Sequence, residues 1–188
     1  MIEREIKLPF SNLEAARQAV VAAGGRLVVS RRLIDDRLFD TPDGALRRAG
    51  RALRVRRDGR RTLLTSKGPA PPAPVKTREE FETEVGNAET IEAIIAALGY
   101  RQAFRSEKFR EEYAAADNAC VAVDDTPIGV FVEIEGSEAA IVATANSLGR
   151  SASDYILDSY PTLYRAWCER HGRAAGDMLF AERAIVGS

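Results

Sequence analysis

Glu3, Glu5 and Lys7 stand at every second position of the opening segment Ile2-Glu3-Arg4-Glu5-Ile6-Lys7-Leu8. On an extended strand this spacing gathers the three on one face and turns Ile2, Ile6 and Leu8 to the other. Two carboxylates beside an ammonium can hold a hard divalent cation next to an anion. The alternation returns in Phe131-Val132-Glu133-Ile134-Glu135, now with two carboxylates. Between these ends, Leu53-Arg54-Val55-Arg56 sets two arginines opposite two aliphatics, and Thr62 to Lys67 brings a lysine to a strand end just before Gly68-Pro69. Arg78, Glu80, Glu82 and Glu84 share a parity. So do Lys108, Arg110 and Glu112, with Phe109 and Tyr113 on the opposite face. Any one of these segments also reads as the solvated side of a half-buried strand. Their recurrence is what argues for a built site.

The elements that must position these residues follow from the punctuation of the chain. Ser11-Asn12-Leu13-Glu14 reads as a capping box opening a helix that runs to Gly24-Gly25, with Leu13, Ala16, Val20 and Val21 as its apolar stripe. Residues 26–40 are expected to hold one or two strands, ending in a turn at Thr41-Pro42-Asp43-Gly44. Strands at about 51–57 and 61–67 are joined by Asp58-Gly59, a hairpin signal. The run Gly68 to Pro74 reads as a loop or flap, and 76–86 as a strand. A helix over 88–98 carries Ile91, Ile94, Ile95 and Leu98 in register; strands follow at about 104–116, 119–125 and 129–136. A short helix near 138–148 precedes a helical stretch from Ser153 to Arg170, which Pro161 is expected to break.

Strands with interspersed helices, without strict βαβ alternation, indicate an α+β domain on a strongly curved or closed antiparallel sheet. Amphipathic helices need an apolar surface to sit on. The charged faces are therefore expected to turn inward, around a polar tunnel. The 188 residues suit one domain over 1–188, with the stretch from about 173 peripheral.

Composition narrows the function classes. A net charge of -1 argues against a non-specific nucleic-acid binder. No apolar run is long enough for a membrane span and no signal peptide is visible, so a cytoplasmic setting is expected. Cys120 and Cys168 lack metal or redox spacing and read as thiols in a reducing compartment. The lone His171, beside Gly172, reads as the complement of a helix dipole. A serine–histidine triad is thereby excluded.

The ordered motifs match a known family. Glu3, Glu5 and Lys7 form an ExExK that resembles the signature of the CYTH superfamily, the triphosphate tunnel metalloenzymes. Phe39-Asp40-Thr41-Pro42, Leu53-Arg54-Val55-Arg56, Thr65-Ser66-Lys67-Gly68-Pro69, Arg78-Glu79-Glu80, Lys108-Phe109-Arg110, Val123-Asp124-Asp125 and Gly129 to Gly136 agree with it in order. Ser159-Tyr160 with Leu163-Tyr164 is similar to the family's C-terminal Ser-Tyr helix. The resemblance implies an eight-stranded antiparallel tunnel binding a triphosphate with Mg²⁺ or Mn²⁺. By it, Glu3, Glu5, Glu133 and Glu135 are metal-site acids with Asp124 nearby; for a hydrolase, Glu5 or Asp124 is expected to steer the attacking water. Lys7, Arg54, Arg56, Lys67, Lys108 and Arg110 hold phosphates, and Arg78, Glu80 and Glu82 stand in a second tier. Some members carry a basic residue where this chain has Asp158; Arg165 is a possible substitute.

An all-oxygen ligand set selects Mg²⁺, Mn²⁺ or Ca²⁺ over zinc. Phosphoryl transfer is mainly positioning and charge neutralisation, so no side-chain nucleophile is required. The leading reading is a metal-dependent hydrolase of inorganic tripolyphosphate or a small organic triphosphate such as thiamine triphosphate. A class IV adenylyl cyclase acting on ATP is second, and a non-catalytic polyphosphate or nucleotide binder third. The sequence carries no statement of oligomeric state.

Overall fold

The structure, a computed structural model, describes residues 1–181. Its strands are β1 (Ile2–Phe10), β2 (Arg26–Asp40), β3 (Ala52–Asp58), β4 (Arg61–Lys67), β5 (Lys76–Val85), β6 (Arg101–Ala114), β7 (Cys120–Thr126) and β8 (Gly129–Glu135). They close into an antiparallel barrel in the order β1-β5-β4-β3-β2-β6-β7-β8. The helices are α1 (Leu13–Ala22), α2 (Ala45–Arg48), α3 (Ala88–Ala97), α4 (Glu138–Ser147) and α5 (Tyr160–Arg170). Among the described residues, no helix is long and apolar enough to cross a membrane.

Closure falls to β1. Its first half pairs with β5, Glu3 opposite Arg78 and Glu5 opposite Lys76. Its second half pairs with β8, Glu5 opposite Glu135 and Lys7 opposite Glu133. One strand thus welds the two ends of the sheet and fixes the register of the opening charges against both neighbours.

The barrel has its polar side inward. Ile6, Leu8, Val121, Val123, Val132 and Ile134 point outward and pack, nearly or fully buried, under Ala16 and Val20 of α1 and Ala140, Ile141 and Ala145 of α4. A second cluster sets Ile95 of α3 on Phe39 and Val55. Burying each of these aliphatic side chains contributes about 1.5–3 kcal/mol, and none would do so if the faces were exchanged.

Several local features differ from the sequence expectations. The N-cap of α1 is Asn12, not Ser11: its Oδ1 accepts the Ala15 N–H at 2.8 Å. Val21 is exposed, because α1 rests on its Ala16–Val20 ridge. On α3, Ile95 is buried while Ile94 and Leu98 face outward, the contact stripe being Ile91 and Ile95. Residues 26–40 form one long strand, bent by irregularities of register against β6 between Leu27 and Arg32. Pro161 begins a helix rather than breaking one, since a proline in the first turn forfeits no helical hydrogen bond. Upstream of it lie a short 3₁₀ turn at Ala152–Asp154 and Ile156, which exchanges backbone hydrogen bonds with Lys7. The stretch beyond 173 is not wholly peripheral. Met178 is buried and bridges to Ser106 of β6, and the Phe180 ring lies 5.2 Å from that of Phe109. Residues 182–188 of that stretch lie outside the described residues.

Truncation under α4 tests the inverted packing. Ile141→Ala is expected to lower stability by about 2–5 kcal/mol in urea denaturation, because Ile141 fills a buried site on the barrel wall. Val142→Ala, one residue on and 39% exposed, is expected to change it by less than about 0.5 kcal/mol.

Candidate active site

The inward faces line one continuous cavity of about 1510 Å³. Glu3, Glu5, Lys7, Arg54, Arg56, Lys67, Arg78, Lys108, Arg110, Glu133 and Glu135 all reach it, each from the strand and parity read in the sequence. A charge removed from water inside a wall must find a counter-charge, and the cavity is organised by that demand.

On the β1–β5–β4 side the carboxylates dominate. The Lys67 ammonium lies 2.7 Å from Glu3 and 2.8 Å from Glu80, and Arg78 Nε donates to Glu3 at 2.9 Å. Lys76 donates to Glu5 at 2.7 Å, and Lys7 sits between Glu5 at 3.4 Å and Glu133 at 3.3 Å. Burial and the neighbouring Glu5 push the Glu3 carboxyl up, yet Lys67 and Arg78 leave it below its usual range. Glu5 is likewise held low: Lys7 and Lys76 outweigh burial and Glu133. Glu135 is the exception. It has no ion-pair partner among the described residues, and burial together with Glu3, Glu5 and Glu80 lifts its carboxyl to about 7. Burial also raises Glu80.

Across the cavity the cations gather. Arg110 grips Asp124 with two bonds of 2.6 Å and also donates to Glu133. Lys108 and the Tyr160 hydroxyl each reach the same Asp124 oxygen at 2.7 Å. The Lys108 and Lys7 ammoniums lie 4.6 and 5.4 Å from the centre of the Tyr160 ring, within cation–π range. Burial and the adjacent Arg110 depress the Lys108 ammonium to about 8, against the pull of Asp124 and Glu133. On β3, Arg56 makes a fork of 2.7 and 2.9 Å with Asp36. Arg54 donates to Thr65 at 3.1 Å and to Glu82 at 3.2 Å, while its buried Nε has no hydrogen-bond partner.

Asp124 differs in placement from the sequence expectation. It is fully buried, stands behind Arg110 and Lys108 rather than lining the cavity, and spends both oxygens on three donors. A role on the metal or on the attacking water does not fit that position; holding the two cations in place does. Asp158 lies outside the lining, whereas Arg165 reaches it from α5.

Three further residues belong to the site. Lys76 shares the parity of Arg78 and Glu80, so the alternation of β5 already carried it. Asp36 was hidden because Asp35, Asp36 and Arg37 charge both faces of β2 in succession. Tyr160 enters from a helix, where strand parity gives no signal.

The donor set suits a hard divalent cation. Among the described residues no ready-made three-ligand cluster exists, since lysines and arginines hold Glu3, Glu5 and Glu133. The unpaired and like-charge-crowded Glu135 beside Glu3 and Glu5 is nonetheless what a cation would relieve, and its oxygen chemistry fits Mg²⁺ or Mn²⁺.

Asp36 supplies a test of the cation side. Burial opposes its ionisation, but Arg56 and Arg54 hold its carboxyl well below the ordinary value. A depressed folded-state pKa gives stability that is complete above the unfolded value of about 3.9 and is lost as pH falls through it. Asp36→Asn is expected to cost about 3–5 kcal/mol at neutral pH by leaving the buried Arg56 guanidinium uncompensated. Its urea midpoint is also expected to fall less than that of the parent chain on acidification from about pH 5 to pH 2.

Comparison with known proteins agrees with this geometry. A curated protein of Methanocaldococcus jannaschii, named "Putative adenylate cyclase", is 29% identical over 137 residues, 73% of this chain and 78% of its own length. A solved structure from Vibrio parahaemolyticus, also called a "putative adenylate cyclase", superposes with a TM-score of 0.73 at 22% identity, covering 87% of this chain and 97% of that one. A Hippeastrum protein, described as a "Putative adenylyl cyclase" with a dominant triphosphatase activity, gives a TM-score of 0.60 at 16% identity, covering 93% and 97%. At such identities the two structures bear on fold alone. The CYTH domain description matches residues 1–160, and the chain belongs to that family.

Proposed function

We propose that this protein is a divalent-metal-dependent triphosphatase that hydrolyses inorganic tripolyphosphate or a small organic triphosphate such as thiamine triphosphate. The observation that carries the reading is the division of one cavity running through the barrel into a cationic wall of Arg54, Arg56, Lys108 and Arg110 and an acidic wall of Glu3, Glu5 and the unpaired Glu135. A binder of anions alone has no use for the second wall.

In this reading the guanidinium forks of Arg54 and Arg56, with Arg110 and Lys108, take the phosphate oxygens. Arg54 lines the cavity, and its buried Nε makes no hydrogen bond, the Asp36 carboxylate standing 3.7 Å away. Asp36, Asp124 and Tyr160 hold these cations in place, so little reorganisation is needed when substrate arrives. Mg²⁺ or Mn²⁺, carried by Glu3, Glu5 and Glu135 with Glu133 adjoining, would neutralise phosphate charge and align the attacking oxygen. Glu5, at the joint of β1 with both β5 and β8, is the carboxylate positioned to orient water. Water attacks the terminal phosphorus, the bridging P–O bond breaks, and orthophosphate leaves beside the shortened anion.

The second reading is an adenylyl cyclase, in which the ribose 3′-OH of ATP attacks the α-phosphate and pyrophosphate leaves. The name of the Methanocaldococcus relative favours it.

The test is a product assay with Mg²⁺ and then Mn²⁺ on tripolyphosphate, thiamine triphosphate and ATP, quantifying phosphate and cyclic AMP. Phosphate without cyclic AMP is the expected result; cyclic AMP with pyrophosphate from ATP would replace it with the second reading. Glu5→Gln is expected to abolish turnover while the far-UV circular dichroism stays that of the folded barrel, at a lowered melting temperature because Lys76 and Lys7 lose their shared carboxylate; a fully active variant would remove Glu5 from the site. Arg56→Ala is expected to raise KM for the triphosphate by about 10- to 100-fold, the weight of a charge-assisted hydrogen bond pair.

A further inference from the structure

The cavity does not end at the cationic wall. It continues past Ala52 and Leu38 to a rim built from the β2–β3 connection, the start of β6 and the first turns of α5. Arg47, Arg51, Arg101 and Arg165 line that rim, all four exposed. The Phe104 and Tyr164 rings, 6.0 Å apart, bring α5 over β6, and the Arg101 guanidinium donates to the Pro42 carbonyl, tying β6 to the connection.

Among the described residues, none of these four arginines has a carboxylate partner. Arg165 Nε donates to the Pro161 carbonyl at 3.3 Å. The nearby acids are otherwise engaged: Asp40 accepts the backbone N–H groups of Thr41, Leu46 and Arg47, and Asp43 pairs with Arg48 at 2.5 Å. The opposite mouth is different. There Arg32 is held by Asp58 and Glu112, and Arg61 by Glu84 at 3.1 Å. Among the described residues Arg60 is the one unpaired arginine of the lining at that mouth, so the greater share of unpaired positive charge lies at the first end of the tunnel.

A triphosphate by itself leaves this rim without a role. The cavity exceeds the roughly 300–1,000 Å³ usual for a small-ligand pocket. A purine or thiazole ring would call for a free aromatic face, but Phe104 packs toward Tyr164 and Phe39 is sunk under α3 beside Ile95. Unpaired guanidiniums in series suit further phosphates.

Resting on the triphosphatase reading above, we propose that the rim is an extended phosphate subsite and that the substrate class is linear inorganic polyphosphate. The terminal phosphates occupy the tunnel, and the chain runs out over Arg51, Arg47, Arg101 and Arg165. Water attacks the terminal phosphorus, the P–O bond to the next phosphate breaks, and orthophosphate separates from a chain shortened by one unit; the proton from water is released to the buffer.

The experiment compares tripolyphosphate with size-fractionated long-chain polyphosphate, in turnover with Mg²⁺ and in calorimetric binding, for the parent chain, Arg47→Ala/Arg51→Ala and Arg60→Ala. The long chain is expected to be the better substrate. Its kcat/KM relative to that of tripolyphosphate is expected to fall about tenfold or more in the double variant and to hold in Arg60→Ala, at the opposite mouth. An equal loss for both substrates, or the same loss in Arg60→Ala, would mean general electrostatic attraction and would overturn the subsite. If tripolyphosphate is not hydrolysed at all, the triphosphatase reading fails. The rim is then judged by binding alone: long-chain affinity that drops in the double variant retains it, and affinity that does not drop removes it.

Discussion

Ionised side chains enclosed by a closed barrel must compensate one another, and most of this structure follows from that constraint. An open sheet could leave Glu3, Glu5 and Glu133 to water. Here Glu3 and Glu5 are each 8% exposed and Lys7 2%. In such surroundings an uncompensated charge costs several kcal/mol, so opposite signs face each other at three of the pairings β1 makes: Arg78 beside Glu3, Lys76 beside Glu5, Lys7 beside Glu133. The same rule explains the residues that touch no proposed ligand. Asp36 and Asp124 hold arginine and lysine in fixed geometry, at the expense of their own availability as bases.

Compensation is uneven, and the unevenness is where chemistry concentrates. Glu135 is left without an ion-pair partner among the described residues, its carboxyl raised by burial and the neighbouring acids, whereas Arg54 Nε makes no hydrogen bond and has the Asp36 carboxylate 3.7 Å away. One defect asks for a positive ligand and the other for a negative one, inside the same cavity. In the proposed reading a metal ion and a phosphate chain would satisfy both at once. Stability and function are thereby opposed here, since the features that would bind the ligands are the ones the folded chain leaves incomplete.

The outer surface makes the inner one possible. Outward Ile, Leu and Val side chains under α1 and α4 supply the apolar burial that a filled barrel would obtain from its interior. α3 does the same for β3 on a smaller scale. This arrangement relieves the interior of packing, so that a cavity of about 1510 Å³ can persist in a chain of 188 residues. The C-terminal stretch adds to it: Met178 pairs beside Ser106, ahead of the point at Phe109 where β6 begins its pairing with β7.

What the sequence determined by itself was set by period two. Glu3/Glu5/Lys7, Arg54/Arg56, Lys108/Arg110 and Glu133/Glu135 each share a strand face by geometry alone, and the need of amphipathic helices for an apolar seat turned those faces inward. Even Lys76 was within reach of that rule. Tertiary structure decided the rest. Strand parity does not say which face of β2 Asp36 serves when both carry charge. Nor does it say that Asp124 stands behind the cations, or that Tyr160 arrives from a helix far along the chain. It decided also that, of the four acids Glu3, Glu5, Glu133 and Glu135, the last lacks an ion-pair partner among the described residues, because pairing depends on which strands β1 joins, and a one-dimensional pattern fixes the face of a residue but not its neighbour across the sheet.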